Sequence, residues 1–241
     1  MDKRIALIDQ SALGGRASFY VGGEYAETDG KRFLTGQMFV EVYEPRERKH
    51  EYPVVMFHGA GQTNMNWLQT PDGRMGWADY FVSKGFCVVL AEQPSRGRSA
   101  YHPAAEGPRI FHPLQIVRQR FTTDEGPWPQ AKKHTQWPEN GGDWEDPAFR
   151  QFAAAQVEYL PGNKRSQALV LAAGKELLEL LGPLCSADPF SGRPLRLAAG
   201  RCFPGKGKGG SGAGADRAAV LRGSEQPNSK KLWLCRPSAP F

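Results

Sequence analysis

The sequence predicts an α/β fold with a mostly parallel sheet, because three neighbouring segments form a characteristic series. Residues 53–57 and 86–91 are continuous apolar runs, the pattern of strands that are buried on both faces. Residues 77–84 lie between them and have a helical pattern that Gly85 ends. A strand, a helix and a strand in this order predict a parallel βαβ unit whose sheet is covered on both faces.

Further elements are predicted on either side of this unit. Residues 17–21 and 37–43 are rich in aromatic and β-branched residues, which predicts strands, and Gly22-Gly23 begins a loop or hairpin between them. Residues 166–181 form the clearest helix, which Gly182-Pro183 ends. Two helix faces are predicted from residue spacing: Trp77, Tyr80 and Phe81 on the first helix, and Leu169, Ala173, Leu177 and Leu180 on the last.

The segment from about residue 100 to residue 160 is irregular and rich in Pro and Gly. A segment of this length inside a compact domain is typically a lid or a binding insertion. Its three tryptophans, Trp128, Trp137 and Trp144, are candidates for lining a substrate pocket, although packing within the lid explains them equally well.

Composition excludes several classes of protein. The mean hydropathy is −0.52, and no apolar run approaches the ~18 residues of a transmembrane helix. The four cysteines have neither CxxC nor zinc-site spacing, so we expect no disulfide scaffold, no metal and no cofactor. The apolar stretch at residues 5–8 is too short for a signal peptide, which leads us to expect a cytoplasmic protein.

The net charge of +6 comes from the last quarter of the chain. Residues 183–241 contain 10 of the 31 Lys and Arg residues, 3 of the 25 Asp and Glu residues and 9 of the 28 glycines. We therefore predict a folded domain over residues 1–182 and a Gly/Lys/Arg-rich tail over residues 183–241 that is not part of the fold. Without interleaved aromatic residues, this tail is a poor candidate for nucleic-acid binding.

The segment with the clearest chemistry is Val54-Val-Met-Phe-His-Gly-Ala-Gly-Gln62. Small residues after a buried strand let backbone N–H groups face a substrate carbonyl, where they can bind an oxyanion. The alternative is a plain strand-to-loop turn that uses glycine for its backbone freedom.

Two further motifs follow at regular spacing: Thr70-Pro-Asp-Gly-Arg-Met-Gly-Trp77 and Glu92-Gln-Pro-Ser-Arg-Gly-Arg-Ser99. In this order, the three motifs resemble a bacterial esterase-type branch of the α/β-hydrolase family, over roughly residues 15–182. The resemblance implies that Ala60 and Gly61 supply the N–H groups of an oxyanion hole. It also implies that residues 96–99 form a structural turn after the fourth strand. Glu92 departs from the family, which usually has Asp there.

Two residues in these motifs are candidates for a catalytic role. Ser99 could be a nucleophile, but residues 97–101 lack the second glycine of G-x-S-x-G, which favours a structural serine. His58 ends a strand beside the site, and we assign it to substrate binding, with stabilisation of the loop favoured over proton transfer. His102, His112 and His134 have no metal-ligand spacing.

The remaining parts of a hydrolase triad are missing from the sequence. A nucleophile elbow should follow Leu181, and then an acid and a late histidine. No histidine follows His134, and Ser211 has Gly209 before it but Ala213 after it. We therefore expect a truncated or frame-shifted family member. Read from the second base of each codon, Asp188-Pro-Phe-Ser-Gly-Arg193 permits Thr-His-Ser-Ala-Gly-Gly, an elbow-like sequence.

Two classes of function follow from the sequence. The first is a serine hydrolase of small carboxylic esters, which is inactive as written because its nucleophile, acid and base are not found. The second is a non-catalytic fragment, or a protein that binds anions or nucleic acid through its basic tail. The sequence predicts no membrane partner and does not define an oligomeric state.

Overall fold

Five strands form one sheet in the computed structural model, which describes residues 7–122, 142–182 and 185–187. The strands are β1 (Leu13–Thr28), β2 (Lys31–Pro45), β3 (Val54–Phe57), β4 (Val88–Glu92) and β5 (Cys185–Ala187), and their order across the sheet is β1-β2-β4-β3-β5. β3 pairs in parallel with β4 and β5, whereas β2 pairs antiparallel with β1 and β4. The predicted α/β fold class is confirmed, and the described sheet is mixed because of β1 and β2.

The antiparallel pair follows from a tight turn that the sequence analysis located wrongly. The turn is at Asp29-Gly30, where both residues have positive φ angles of 52° and 69°, as a two-residue hairpin turn requires. Gly22 and Gly23, the predicted connection, lie inside β1. A Cβ atom on Gly22 would stand 2.7 Å from the Cβ atom of Ala173, so this glycine permits close packing on a helix instead of forming the turn.

Six helices accompany the strands in the described residues. They are α1 (Met65–Leu68), α2 (Trp77–Ser83), α3 (Pro103–Glu106), α4 (Leu114–Phe121), α5 (Pro147–Ala154) and α6 (Asn163–Leu181). α2 and α6 are the two helices that the sequence predicts, and the described part of the predicted insertion contains α3, α4 and α5. Trp128 and Trp137 lie outside the described residues.

The two predicted helices cover opposite faces of the sheet. Ala173 and Leu177 of α6 pack in one cluster with Val55 and Phe57 of β3. On the other face, Ala78 and Val82 of α2 pack in a second cluster with Val54 and Met56. β3 is therefore buried on both faces, as its apolar run predicts.

The predicted faces of these helices are only partly right. On α6, Ala173 and Leu177 are buried, while Leu169 and Leu180 are half-buried. On α2, the small residue Ala78 turns toward the sheet, and 57% of Trp77 is exposed. The three aromatic residues of α2 contact one another instead, with ring centroids 5.6–5.9 Å apart.

The sheet continues beyond residue 182, the predicted end of the folded part. β5 comprises three residues of the segment predicted to be a tail, and Ala187 is paired with Met56 of β3. No helix in the described ranges has the length and apolar character needed to cross a membrane.

Candidate active site

The candidate site lies where β3 and β4 end. Because β3, β4 and β5 are parallel, their carboxyl ends meet at one edge of the sheet, which is where α/β folds bind ligands. The loop after β3 contains residues 58–64 and the turn after β4 contains residues 93–99, and hydrogen bonds join the two.

Both ring nitrogens of His58 form hydrogen bonds to backbone groups. The residue is 1% exposed; Nδ1 donates to the Gly59 carbonyl at 3.0 Å, and Nε2 accepts from the Gln93 N–H at 3.0 Å. Burial, together with the nearby positive charge of Arg96, lowers the pKa of His58 to about 3. The ring is therefore a neutral imidazole with its proton on Nδ1, and a substrate could bind it only by replacing one of these bonds.

Arg96 contacts the same carbonyl group from the turn after β4. Its Nη1 donates to the Gly59 oxygen at 2.8 Å, and its Cζ lies 5.3 Å from the centre of the Tyr159 ring. Arg96 is 4% exposed, and its burial lowers its pKa to about 10. No carboxylate within the described part of the chain forms an ion pair with it, so its charge has no counter-ion there.

The two residues predicted to form an oxyanion hole are next to this arrangement. Ala60 is exposed, and Gly61 is buried with a φ of 69°, a conformation that favours glycine. The carbonyl group of Gly61 accepts a 2.8 Å bond from the N–H of Val157. Within the described ranges, the N–H groups of Ala60 and Gly61 donate no hydrogen bond.

Glu92 joins the loop after β3 to the turn after β4. Its buried carboxylate accepts from the backbone N–H of Asn64 at 3.3 Å, and from the backbone N–H and Nε of Arg98 at 3.2 and 3.0 Å. A Cβ atom on Gly97 would stand 2.3 Å from this carboxylate, and Gly97 has a φ of 48°. The sequence analysis noted Glu92 only as a departure from the family.

Glu41 extends this charged network into β2. Its fully buried carboxylate forms ion pairs with Arg16 and Arg98. Burial raises the pKa of Glu41, but the hydrogen bonds from Arg98 and Arg16 lower it more, so the net pKa is below its usual value. The sequence analysis missed Glu41, although a charged residue in the middle of an apolar strand pattern was a visible signal.

Ser99 occupies a structural position. Its buried hydroxyl accepts from the N–H of Phe39 at 2.8 Å and donates to the carbonyl group of Glu92 at 2.8 Å. Both bonds go to the backbone, on β2 and β4, which agrees with the interpretation of Ser99 as a structural serine.

Tyr159 borders the loop after β3, and the sequence analysis missed it. Its Cδ1 would stand 3.9 Å from a Cβ atom on Gly61, and its hydroxyl lies 2.6 Å from Nε2 of His112. Trp144, the described candidate for a pocket wall, is 43% exposed and contacts Arg118 and Phe149 of the insertion. A role for Trp144 in substrate binding stays a prediction.

Comparison with known proteins finds relatives of this chain. No family model matches the chain. The probable secreted lipase phiG of Fungal sp. (strain ATCC 74256) is 41% identical over 166 residues, which are 68% of this chain and 43% of the lipase. A bacterial esterase of known structure matches with a TM-score of 0.60 and 27% identity, over 72% of this chain and 59% of the esterase. The chain is related to the esterase-type α/β-hydrolases.

The comparison with these α/β-hydrolases also corrects one expectation and sets a limit. The expected cytoplasmic location is wrong, because the fungal relative is a probable secreted lipase. The length of an apolar stretch near residue 5 was insufficient evidence for that expectation.

The chain spans less than half of the lipase and about three-fifths of the esterase. Among the described residues, no group of three or more His, Cys, Asp or Glu side chains could hold a metal ion.

Proposed function

We propose that this chain carries the oxyanion-binding part of a carboxylic ester hydrolase, with the backbone N–H groups of Ala60 and Gly61 as donors. The supporting observation is the loop after β3: Ala60 is exposed at the carboxyl edge of the sheet, and its N–H has no acceptor in the described residues. Donors that are held ready at such a position stabilise the negative charge that develops on a substrate carbonyl oxygen. The substrate class is a small carboxylic ester.

Among the described residues, neither His58 nor Ser99 is free to act on an ester bound at this oxyanion site. His58 cannot serve as the base, because both ring nitrogens are bonded to backbone groups. Ser99 cannot serve as the nucleophile without losing its two buried bonds. No histidine follows His134 in the sequence. We therefore expect no substantial ester turnover from this polypeptide, since an oxyanion site alone only polarises a carbonyl group.

A change of reading frame at about codon 184 would account for the missing elbow. The proposal is supported by the end of β5 at Ala187, because a nucleophile elbow follows a strand of the parallel sheet in this fold and residues 188–193 come next in the chain. The shifted reading of residues 188–193 permits an elbow-like sequence at that point. Sequencing the coding DNA across codons 180–195 tests this directly, and an unshifted reading frame there would exclude it.

An assay with a short-chain aryl ester tests the proposed function. We expect the chain as written to show no turnover at an enzymatic rate. A polypeptide with the frame restored, and with any downstream acid and histidine included, should show turnover that is lost when the restored serine is changed to alanine. In that polypeptide, Ala60→Pro removes one N–H donor and should lower kcat about 10²–10³-fold. Full activity of the chain as written would contradict the proposal and point to an unrecognised nucleophile.

We also propose that the complete enzyme acts outside the cell. The support is the fungal relative, a probable secreted lipase that is 41% identical over 68% of this chain. Fractionation of the producing cells, with detection of the protein in the culture medium, tests this.

A further inference from the structure

We infer that Arg96 is a positioning residue that orients the oxyanion-binding N–H of Ala60 through the carbonyl group of Gly59. This inference rests on the proposed function of Ala60. The family resemblance assigned Arg96 only to a structural turn. Its contacts with the loop after β3 give it a second role.

The geometry of the peptide bond links the two groups. The Gly59 carbonyl oxygen accepts two hydrogen bonds, from Nδ1 of His58 at 3.0 Å and from Nη1 of Arg96 at 2.8 Å. None of the described peptide bonds is cis, so the N–H of Ala60 points in the opposite direction to the carbonyl of Gly59. Both donors are buried, and Ala60 is exposed. Holding the carbonyl inward therefore turns the N–H outward, to where a substrate would bind.

This loop needs such a restraint because Ala60 lies between two glycines. Gly59 and Gly61 lie on either side of Ala60, and glycine gives the backbone the freedom to rotate the Gly59–Ala60 peptide plane. The bond between the Gly61 carbonyl and the N–H of Val157 fixes the far side of the loop. The two donors to Gly59 fix the near side, and they keep the N–H from turning away.

The charge of Arg96 adds to the effect of its position. Arg98, two residues along the same turn, is paired with the carboxylates of Glu41 and Glu92. Arg96 has no such partner in the described part of the chain, and its contacts are a carbonyl group and the Tyr159 ring. A guanidinium bonded to a carbonyl polarises that peptide and makes its N–H a stronger donor. Its unpaired charge also favours a negative charge that develops nearby.

The experiment uses the ¹⁵N-labelled chain of 241 residues and acetate, whose carboxylate mimics an oxyanion. Acetate is titrated while the Ala60 amide resonance is followed by NMR in the wild type, Arg96→Lys, Arg96→Met and the control Arg98→Lys. We expect Arg96→Met to weaken the acetate response of Ala60 at least tenfold. Arg98→Lys should leave it within twofold. Arg96→Lys, which keeps the charge and one donor, should recover much of the response.

The possible outcomes separate this inference from the proposed function. If acetate does not shift the Ala60 amide in the wild type, the oxyanion site itself is wrong. If the wild type responds and a folded Arg96→Met variant responds equally, only the role of Arg96 is overturned. If Arg96→Met does not fold, Arg96→Gln, which is polar but uncharged, takes its place: a weaker acetate response of the Ala60 amide supports the inference, and a response equal to that of the wild type refutes it.

Discussion

The hydroxyl group of Ser99 accepts a 2.8 Å hydrogen bond from the backbone N–H of Phe39, although the two residues are sixty positions apart in the sequence. The same hydroxyl donates to the carbonyl group of Glu92. Ser99 therefore connects the turn after β4 to β2, the strand next to β4 in the sheet. The same turn contains Arg96, which contacts the candidate site.

Ser99→Ala should destabilise the protein without the specific effect expected of a nucleophile. Loss of the hydroxyl leaves the buried N–H of Phe39 without its acceptor, which costs about 1–3 kcal/mol. Urea unfolding measures the loss, with Ser18→Ala as the control, because Ser18 is an exposed serine of β1. A Ser99→Ala variant as stable as the wild type would contradict the structural role.

Glu41→Gln should be one of the most destabilising single changes that conserve side-chain shape. The buried carboxylate of Glu41 balances Arg16 and Arg98, and its removal leaves both guanidinium groups without this partner. Because the two arginines are half-exposed, water recovers part of the loss, and we expect about 2–3 kcal/mol. Glu27→Gln is the matched control, since it breaks an exposed pair with Arg32 and should cost less than about 1 kcal/mol. Equal costs for the two variants would show that the network is unimportant.

Gly22→Ala should disrupt the packing of β1 against α6. Gly22 has a φ of 67°, and an added Cβ would stand 2.7 Å from the Cβ atom of Ala173. Its N–H also donates to the carboxylate of Glu176 at 2.7 Å. Strain and overpacking together should cost about 2–4 kcal/mol in thermal or urea unfolding. Gly15→Ala is the control, because a Cβ there meets nothing within 4 Å; if both changes are neutral, α6 does not pack as described.

His58 should make the protein less stable as the pH falls below about 6.5. The folded chain keeps His58 neutral down to a pKa of about 3, whereas the unfolded chain takes up a proton near pH 6.5. Stability from this group is therefore complete above pH 6.5 and is lost as the pH falls toward 3. Between pH 7 and pH 5.5, the free energy of unfolding should fall by about 1 kcal/mol.

The measurement for His58 is urea unfolding at the two pH values, with His58→Asn as the comparison. That variant should be less stable at pH 7 and should lose this part of the pH dependence. Imidazole ¹⁵N resonances give an independent check, because they should report the Nδ1–H form of His58 throughout this range. A ring that titrates near pH 6.5 in the folded protein would refute the prediction.

The sequence predicted those helices and strands whose position depends only on the local residue pattern. The apolar run of β3 and the glycine that follows α2 specify a buried strand and a helix end without reference to the rest of the chain. The hairpin was misplaced because Gly22-Gly23 was interpreted as the connection, although Asp29-Gly30 is itself a strong two-residue hairpin signal. The close approach of Ala173 to Gly22 explains the glycine, and that contact spans 151 positions.

The candidate site was predictable as a motif but not as an arrangement. The sequence pointed to Ala60 and Gly61, yet the groups that hold their loop come from distant segments: Arg96 contacts Gly59, and Val157 contacts Gly61. A hydrogen bond between such segments leaves no periodic pattern in the sequence. Tyr159 was missed for this reason, and Trp144 was named because aromatic residues attract attention wherever they lie.

Limited proteolysis should distinguish the domain predicted over residues 1–182 from the segment over residues 183–241. The composition of the second segment, with its glycines and its basic excess, offers little apolar surface to offset the entropy of ordering. Trypsin should therefore cut after Lys206 and Lys208 well before it cuts in the domain. The matched site is Lys84, an exposed lysine that is also followed by glycine, but with Gly85 held by a 2.9 Å bond to Val82.

Mass spectrometry over a time course should show a stable fragment that retains Lys84 and β5. Equal cleavage rates at Lys84 and Lys206 would contradict the predicted division, and so would resistance at both. A stable fragment would also be the right starting point for restoring the reading frame, because new sequence could then be joined to a domain that folds.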